Sequence, residues 1–118
     1  MLPAERRLRT PGEFQLVYQT GKIVRGKYLT IRYLRRKEDG KTRFGFAPAR
    51  VGSAVLRNRL KRRLRELCRK YRDCFRDQYD VVVNIHRAAA SAPYEELEAD
   101  FLKIFSRARL IRNEPSLF

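Results

Sequence analysis

The most concentrated chemistry in this sequence is cationic. From Arg57 to Arg72 there are nine basic residues and a single acid, Glu66, so this segment carries +8 of the chain's net charge of +15. Seven of the nine are arginines, whose planar guanidinium groups form paired hydrogen bonds with phosphate. The segment predicts binding to a polyphosphate. The alternative interpretation is a solvated basic helix face with no partner.

Residues that could catalyse a reaction on their own are scarce. The chain has one histidine, His86, and two cysteines, Cys68 and Cys74. The cysteine spacing fits neither a Cys-x-x-Cys motif nor a zinc site, and we interpret both as reduced thiols. The aspartates form no recognisable metal motif; they are Asp39, Asp73, Asp77, Asp80 and Asp100. We therefore expect no metal, no cofactor and no catalytic residue in the protein itself.

A second group of side chains could bind unpaired nucleotides. Phe14 and Tyr18 are four residues apart, so with Val17 they share one face of a helix. Aromatic rings beside cationic groups are stacking platforms for single-stranded nucleic acid. Core packing is the other interpretation of these two rings, and partial exposure of both would favour nucleotide binding.

The composition places both groups in one small basic domain. The 118 residues are 43% hydrophobic, with no internal repeat or linker, which predicts a single domain over residues 1–118. A pI near 10.7 favours RNA, DNA or an anionic membrane as the partner. The basic segment lacks the exposed apolar face of a membrane-surface helix, and the start of the chain lacks a secretory h-region. We expect a cytoplasmic protein with no membrane partner.

The elements that position Phe14 and Tyr18 lie in the first half of the chain. A capping box at Thr10–Glu13 predicts a helix that runs to about Thr20, with Gly21 as a left-handed stop. The remaining segments have strand or turn composition. They are a strand at Tyr28–Leu34, a turn at Glu38–Lys41, the returning strand of a hairpin at Thr42–Ala47, and Ile23-Val24, which could add a short strand.

The basic segment itself has the pattern of an amphipathic helix that begins after Ser53. Its apolar stripe is Leu56, Leu60, Leu64, Leu67 and Tyr71. Opposite that stripe are Asn58, Arg62, Arg65 and Arg69, flanked by Lys61 and Arg72. A buried strand at Tyr79–Ile85 and a helix from about Pro93 complete the chain. The order α-β-β-(β)-α-β-α predicts an α/β sandwich, a small mixed sheet of about four strands covered by helices.

These segments together resemble the bacterial ribonuclease P protein family. The run VGSAVLRNRLKRRLREL, from residue 51 to 67, fills every position of that family's signature R-N-R-x-K-R-x-x-R. Arg7-Leu8-Arg9 resembles the family's opening, Phe44-Gly45-Phe46 the strand before the signature, and the strand at Tyr79 the one after it. The likeness covers roughly residues 6–109. Pro48-Ala49-Arg50 stands where the family usually has Ser or Ala followed by Lys-Lys, so Arg50 would act there alone.

The resemblance implies a protein subunit whose RNA partner, ribonuclease P RNA, contains the active site and coordinates Mg²⁺. The residues that would contact that RNA are Arg50, Arg57, Asn58, Arg59, Lys61, Arg62, Arg65 and Arg69. The cleft that would hold the 5′ leader of precursor tRNA contains Phe14, Tyr18, Ile31 and Tyr33. The resemblance also implies a left-handed β-α-β crossover and no small-molecule substrate.

Other classes of function remain as alternatives. A structural or ribosomal RNA-binding protein has the same composition, and only the Arg57-Asn58-Arg59 motif and the paired aromatics separate it from this interpretation. A basic helix also fits the DNA major groove, but no helix-turn-helix, zipper or zinc-finger spacing accompanies it. A protein-only nuclease would need a carboxylate cluster or a histidine acid/base pair.

Overall fold

Four strands form one mixed sheet in the order β1-β2-β4-β3. In a computed structural model, which describes residues 6–48 and 52–112, the strands are β1 (Lys22–Arg25), β2 (Leu29–Arg35), β3 (Arg43–Pro48) and β4 (Tyr79–Ile85). The helices are α1 (Pro11–Thr20), α2 (Ala54–Lys70) and α3 (Tyr94–Arg107), and a 3₁₀ helix (Arg87–Ser91) follows β4. The predicted α/β sandwich is confirmed, including the additional short strand.

The strand pairing differs from the predicted hairpin between β2 and β3. The antiparallel neighbours of β2 are β1 and β4, whereas β3 runs parallel to β4 at the edge of the sheet. The predicted hairpin is therefore wrong. The reason is the apolar run Val81–Val83, which is fully buried on both faces and therefore occupies an interior position between β2 and β3.

The sheet separates two apolar layers. One face packs against α2 and α3 in the main core, and we call it the core face. The other face carries a smaller cluster of Leu8, Val17 and Val82, against which Phe14 packs, and we call it the α1 face. Because side chains alternate along a strand, Ile31 lies on the core face and its neighbour Arg32 lies on the α1 face.

The basic helix α2 forms as its pattern predicts. Ser53 caps it by accepting a hydrogen bond from the Leu56 N–H at 3.2 Å. Leu60, Leu64 and Leu67 are at most 1% exposed within the main core. Burial of each leucine contributes about 1.5–3 kcal/mol. The stripe therefore fixes which face of α2 remains in water.

The end of α1 differs from its prediction. Gly21 follows the helix as expected, but its backbone is extended, with φ −79° and ψ 162°, rather than left-handed. The glycine is required because of close contact, not backbone conformation. A Cβ there would lie 2.5 Å from the Val17 carbonyl oxygen and 2.8 Å from that of Tyr33. The absence of a side chain lets the chain pass directly from α1 into β1.

The buried carboxylate of Asp100 joins α3 to the β1–β2 turn. Its two oxygens accept hydrogen bonds from the backbone N–H groups of Lys27, Tyr28 and Leu29 at 2.9–3.1 Å. A Cβ at Gly26 would approach the same carboxylate to 2.6 Å, so the turn requires glycine there. A side chain on the last helix therefore sets the geometry of the first hairpin.

Three other predictions concern the chain as a whole. Cys68 and Cys74 are both free, as predicted, and burial raises the pKa of the Cys68 thiol. Within residues 6–48 and 52–112, every helix is too short or too polar to cross a membrane. The parallel strands β3 and β4 are joined through α2, and the left-handed sense of this crossover stays a prediction.

Candidate nucleic-acid interface

The cationic side chains of α2 project away from the leucine stripe. Among the predicted RNA-binding residues, Asn58, Arg59, Arg62 and Arg69 are exposed, and Arg57, Lys61 and Arg65 are half-buried. In the described part of the chain, none of these six cations forms an ion pair with a carboxylate. The helix thus presents uncompensated positive charge. Arg50 lies outside the described residues.

One cation at the end of α2, Lys70, is neutralised by a carboxylate, in contrast to the cations of the outward face. The Lys70 ammonium lies 2.7 Å from the Glu98 carboxylate on α3, and the Tyr71 hydroxyl donates to the same oxygen. These hydrogen bonds, from Lys70 first and then Tyr71, hold the pKa of Glu98 below its usual value. The last turn of α2 is therefore fixed to α3, and the charge of Lys70 is used within the protein.

A concavity of about 270 Å³ joins α2 to α1. We call it the basic cleft, and its lining residues are Arg7, Leu8, Arg9, Phe14, Phe44, Gly45, Phe46, Lys61 and Arg65. The Arg65 guanidinium lies 6.0 Å from the centre of the Phe46 ring. Four cations and two half-buried aromatic rings thus converge here from three separate parts of the chain.

The wall of the basic cleft formed by α1 depends on a glycine. A Cβ at Gly45 would lie 2.4 Å from the Phe14 ring, so the absence of a side chain lets Phe14 pack directly on β3. The segment before α1 pairs with the same strand, because the Leu8 N–H donates to the Phe44 carbonyl at 3.0 Å. This pairing places Arg7 and Arg9 at the edge of the cleft.

The acidic side chains near this wall form hydrogen bonds and ion pairs with other groups of the protein. Glu13 completes the capping box of α1, accepts from the Arg9 and Thr10 N–H groups, and lies 2.8 Å from Arg43. The backbone hydrogen bonds, from Thr10 first, lower the pKa of Glu13, and the charge of Arg43 lowers it further. Arg43 also forms two 2.8 Å hydrogen bonds with the buried Asp80. The acids thus orient α1 and leave Arg7 and Arg9 free of acidic partners among the described residues.

Tyr18 extends the aromatic surface along the α1 face. Tyr18 is 38% exposed, and the Arg32 guanidinium lies 4.8 Å from the centre of its ring. The Asn84 side-chain N–H donates to the Tyr18 hydroxyl at 2.7 Å. Within the described residues, Arg32 Nε and Asn84 Oδ1 are buried and have no hydrogen-bond partner. The surface therefore combines an aromatic ring with a cation.

Two residues predicted for the cleft lie elsewhere. Ile31 is fully buried in the main core, and Tyr33 packs against the same core. Both lie on the core face, so neither joins Phe14 and Tyr18, and their assignment to the cleft is wrong. Arg32 and Asn84 occupy the α1 face instead. Alternation along β2 separates Ile31 from Arg32, but the sequence does not show which set faces α1.

The described residues hold no group of three or more metal-ligating side chains. The one histidine is engaged in local structure: His86 Nε2 lies 2.6 Å from the Thr30 hydroxyl, and Nδ1 lies 3.2 Å from the Lys27 carbonyl. The cations and aromatic rings of this surface are suited to binding anions and flat rings.

Comparisons with known proteins agree on one family. The family model described as Ribonuclease P matches residues 2–109. The chain is 38% identical over 109 residues to the ribonuclease P protein component of Symbiobacterium thermophilum, covering 92% of this chain and 95% of that protein. It is 34% identical over 111 residues to that of Syntrophomonas wolfei, covering 93% and 92%. A solved structure of the Staphylococcus aureus RNase P protein has the same fold, with a TM-score of 0.84 at 22% identity, covering 90% of this chain and 97% of that one.

Proposed function

Because the chain belongs to the ribonuclease P protein family, we propose that it binds the catalytic RNA through α2 and the 5′ leader of precursor tRNA through the α1 face. In this proposal the protein promotes endonucleolytic removal of the leader, which gives the mature 5′ end of the tRNA. The RNA supplies the active site and its Mg²⁺, and the protein supplies no catalytic residue. The complex works in the cytoplasm.

The observation that carries this proposal is the basic cleft. Lys61 and Arg65 of α2 share it with Phe14 of α1, so the phosphate-binding helix and the aromatic surface are continuous. A strand of RNA could follow this surface with its phosphates on the cations and its bases on the rings. That combination is typical of sites for single-stranded nucleic acid.

The exposed arginines of α2 would bind the ribonuclease P RNA mainly through phosphates. Arginine favours such contacts because its donors form a fixed fork. Contacts to phosphate position a protein without reading sequence, which suits a subunit that orients a folded RNA. The leucine stripe keeps this helix rigid on the sheet.

The leader would lie on the α1 face, beyond the basic cleft. Phe14 and Tyr18 would stack on unpaired bases, and the Arg32 guanidinium beside the Tyr18 ring would attract the phosphates. Because the protein would add contacts to the leader, the holoenzyme would bind precursor tRNA more tightly than mature tRNA. By neutralising phosphates, it would also lower the Mg²⁺ concentration that cleavage requires.

Replacing Phe14 and Tyr18 with alanine should reduce discrimination between precursor and mature tRNA. Stacking contributes about 1–3 kcal/mol per base, so the affinity of the holoenzyme for precursor should fall about tenfold or more, with little change for mature tRNA. Assembly with ribonuclease P RNA should be unaffected because α2 is intact. Equilibrium binding of both tRNAs to the reconstituted holoenzyme measures this difference.

Leu16→Ala is the matched control, since Leu16 is also on α1 and is 51% exposed but lies on the other side of the helix. We expect that variant to keep full discrimination. If the double variant lost affinity equally for both tRNAs, the leader would not lie on the α1 face.

A further inference from the structure

A separate cavity of about 580 Å³ lies where β1 begins, β2 ends and β4 begins. We call it the tyrosine cavity, and its lining residues are Thr20, Lys22, Tyr33, Leu34, Arg35, Arg76, Tyr79, Ala108 and Arg109. Its volume is within the range of small-ligand sites, roughly 300–1,000 Å³. None of its lining residues belongs to the basic cleft.

The tyrosine cavity also has a different position on the sheet. Its strand residues come from β1, β2 and β4, whereas those of the basic cleft come from β3. Tyr79 begins β4, and α2 begins beyond the end of β3. Because β3 and β4 are parallel, the tyrosine cavity and the start of α2 lie toward opposite ends of the sheet. A single nucleotide therefore cannot contact the tyrosine cavity and the start of α2 at the same time.

The charge of the tyrosine cavity is entirely positive. Lys22, Arg35, Arg76 and Arg109 are all exposed, and no acid is among the lining residues. In the part of the chain that the structure describes, none of the four forms an ion pair. Nearby Asp77 is already paired with Lys41 and Arg112. The cavity therefore attracts an anion that the described protein does not supply.

Two aromatic rings are among the residues that line the cavity. The rings of Tyr33 and Tyr79 are both half-buried, with centres 6.3 Å apart and a tilt of 60°. Within the described residues neither hydroxyl has a hydrogen-bond partner, and burial raises the pKa of Tyr33. A ligand with a flat ring would gain stacking area and two hydroxyl groups.

We propose that the tyrosine cavity is a second nucleotide site, which takes one unpaired nucleotide of RNA. Its base lies against Tyr33 and Tyr79, and its phosphate is bound by Arg35, Arg76 and Arg109. A free anion would use the cations alone, whereas a nucleotide uses both the cations and the rings. Since the basic cleft and the start of α2 lie elsewhere, this site extends RNA contact to the opposite end of the sheet.

Adenosine 5′-monophosphate, added to the full-length free protein, tests the proposal by NMR of ¹³C-labelled tyrosine rings. The chain has six tyrosines, and Tyr33→Phe and Tyr79→Phe assign the two signals. We expect both signals to shift and saturate with the nucleotide, and inorganic phosphate at the same concentrations to leave them nearly unchanged. Arg35→Ala with Arg76→Ala should weaken binding by about tenfold or more, the usual size of hydrogen bonds to charged groups.

Two further variants distinguish binding in the tyrosine cavity from a general effect of positive charge and from binding on the α1 face. Lys37→Ala with Lys103→Ala removes the same charge from exposed positions outside the cavity and should not change the affinity. Phe14→Ala with Tyr18→Ala should also leave the Tyr33 and Tyr79 shifts intact. Equal shifts with inorganic phosphate, equal weakening in the lysine variant, or a nucleotide response confined to Tyr18 would each overturn the proposal.

Discussion

Replacing Arg62 and Arg65 with alanine is expected to weaken binding to ribonuclease P RNA and to flatten its salt dependence. Arg62 is exposed, Arg65 lies over Phe46, and neither has an acidic partner among the described residues. If two phosphate contacts are lost, the slope of log K against log salt should fall by ~1.4–1.8. The affinity itself should fall by about tenfold or more. Titrations at several salt concentrations measure both.

The control for this variant has the same net charge. Lys37→Ala with Lys103→Ala removes two exposed cations that lie outside α2. The slope of log K against log salt should therefore change less in this variant than in the arginine variant. An unchanged slope in the arginine variant would exclude the outward face of α2 from the RNA interface.

Replacing Asp100 with alanine should cause a large loss of stability. The carboxylate is 7% exposed and accepts from three backbone N–H groups of the β1–β2 turn. Leaving these donors without a partner should lower the free energy of unfolding by about 3 kcal/mol or more. That is a substantial part of the roughly 5–15 kcal/mol typical of a domain. Urea-induced unfolding measures the change.

Glu95→Ala is the comparison for the Asp100 variant. Glu95 is also an acid on α3, but it is exposed and has no side-chain hydrogen bond among the described residues, so its loss should change stability by less than about 1 kcal/mol. A similarly small change for Asp100→Ala would show that the turn holds its shape without the carboxylate.

The elements that the sequence predicts well are those with local signals. The capping box fixes the start of α1, and Ser53 with the leucine stripe fixes the start and the buried face of α2. The strand at Tyr79–Ile85 has its predicted bounds because its apolar run is continuous. In each case the sequence signal lies in residues that are only a few positions apart.

The strand pairing could not be predicted in this way. The turn at Glu38–Lys41 indicates a reversal of the chain, and a hairpin is its simplest consequence. Instead β4, which comes more than thirty residues later, inserts between β2 and β3. This strand order is favoured by the burial of Val81–Val83 on both faces of the sheet. That burial depends on the sheet, on the helices of the core face and on α1 together.

The candidate site was predictable in its charge but not in its shape. The pattern of α2 identified its cations, and their exposure follows from the leucine stripe. The sequence does not show which side chains of β2 face α1, so the prediction places Ile31 and Tyr33 on the wrong face of the sheet. The basic cleft was also missed, because Arg7, Phe46 and Arg65 come together only when β3 lies at the edge of the sheet.

The most direct test of the central claim is reconstitution of cleavage at low Mg²⁺. The protein would be added to ribonuclease P RNA and a precursor tRNA, with each component also tested alone. We predict a correct 5′ cut only when protein and RNA are both present, with the protein alone inactive. If the protein bound the RNA tightly but never supported that cut, it would be a structural RNA-binding protein, and the roles proposed for α2 and the α1 face would be wrong.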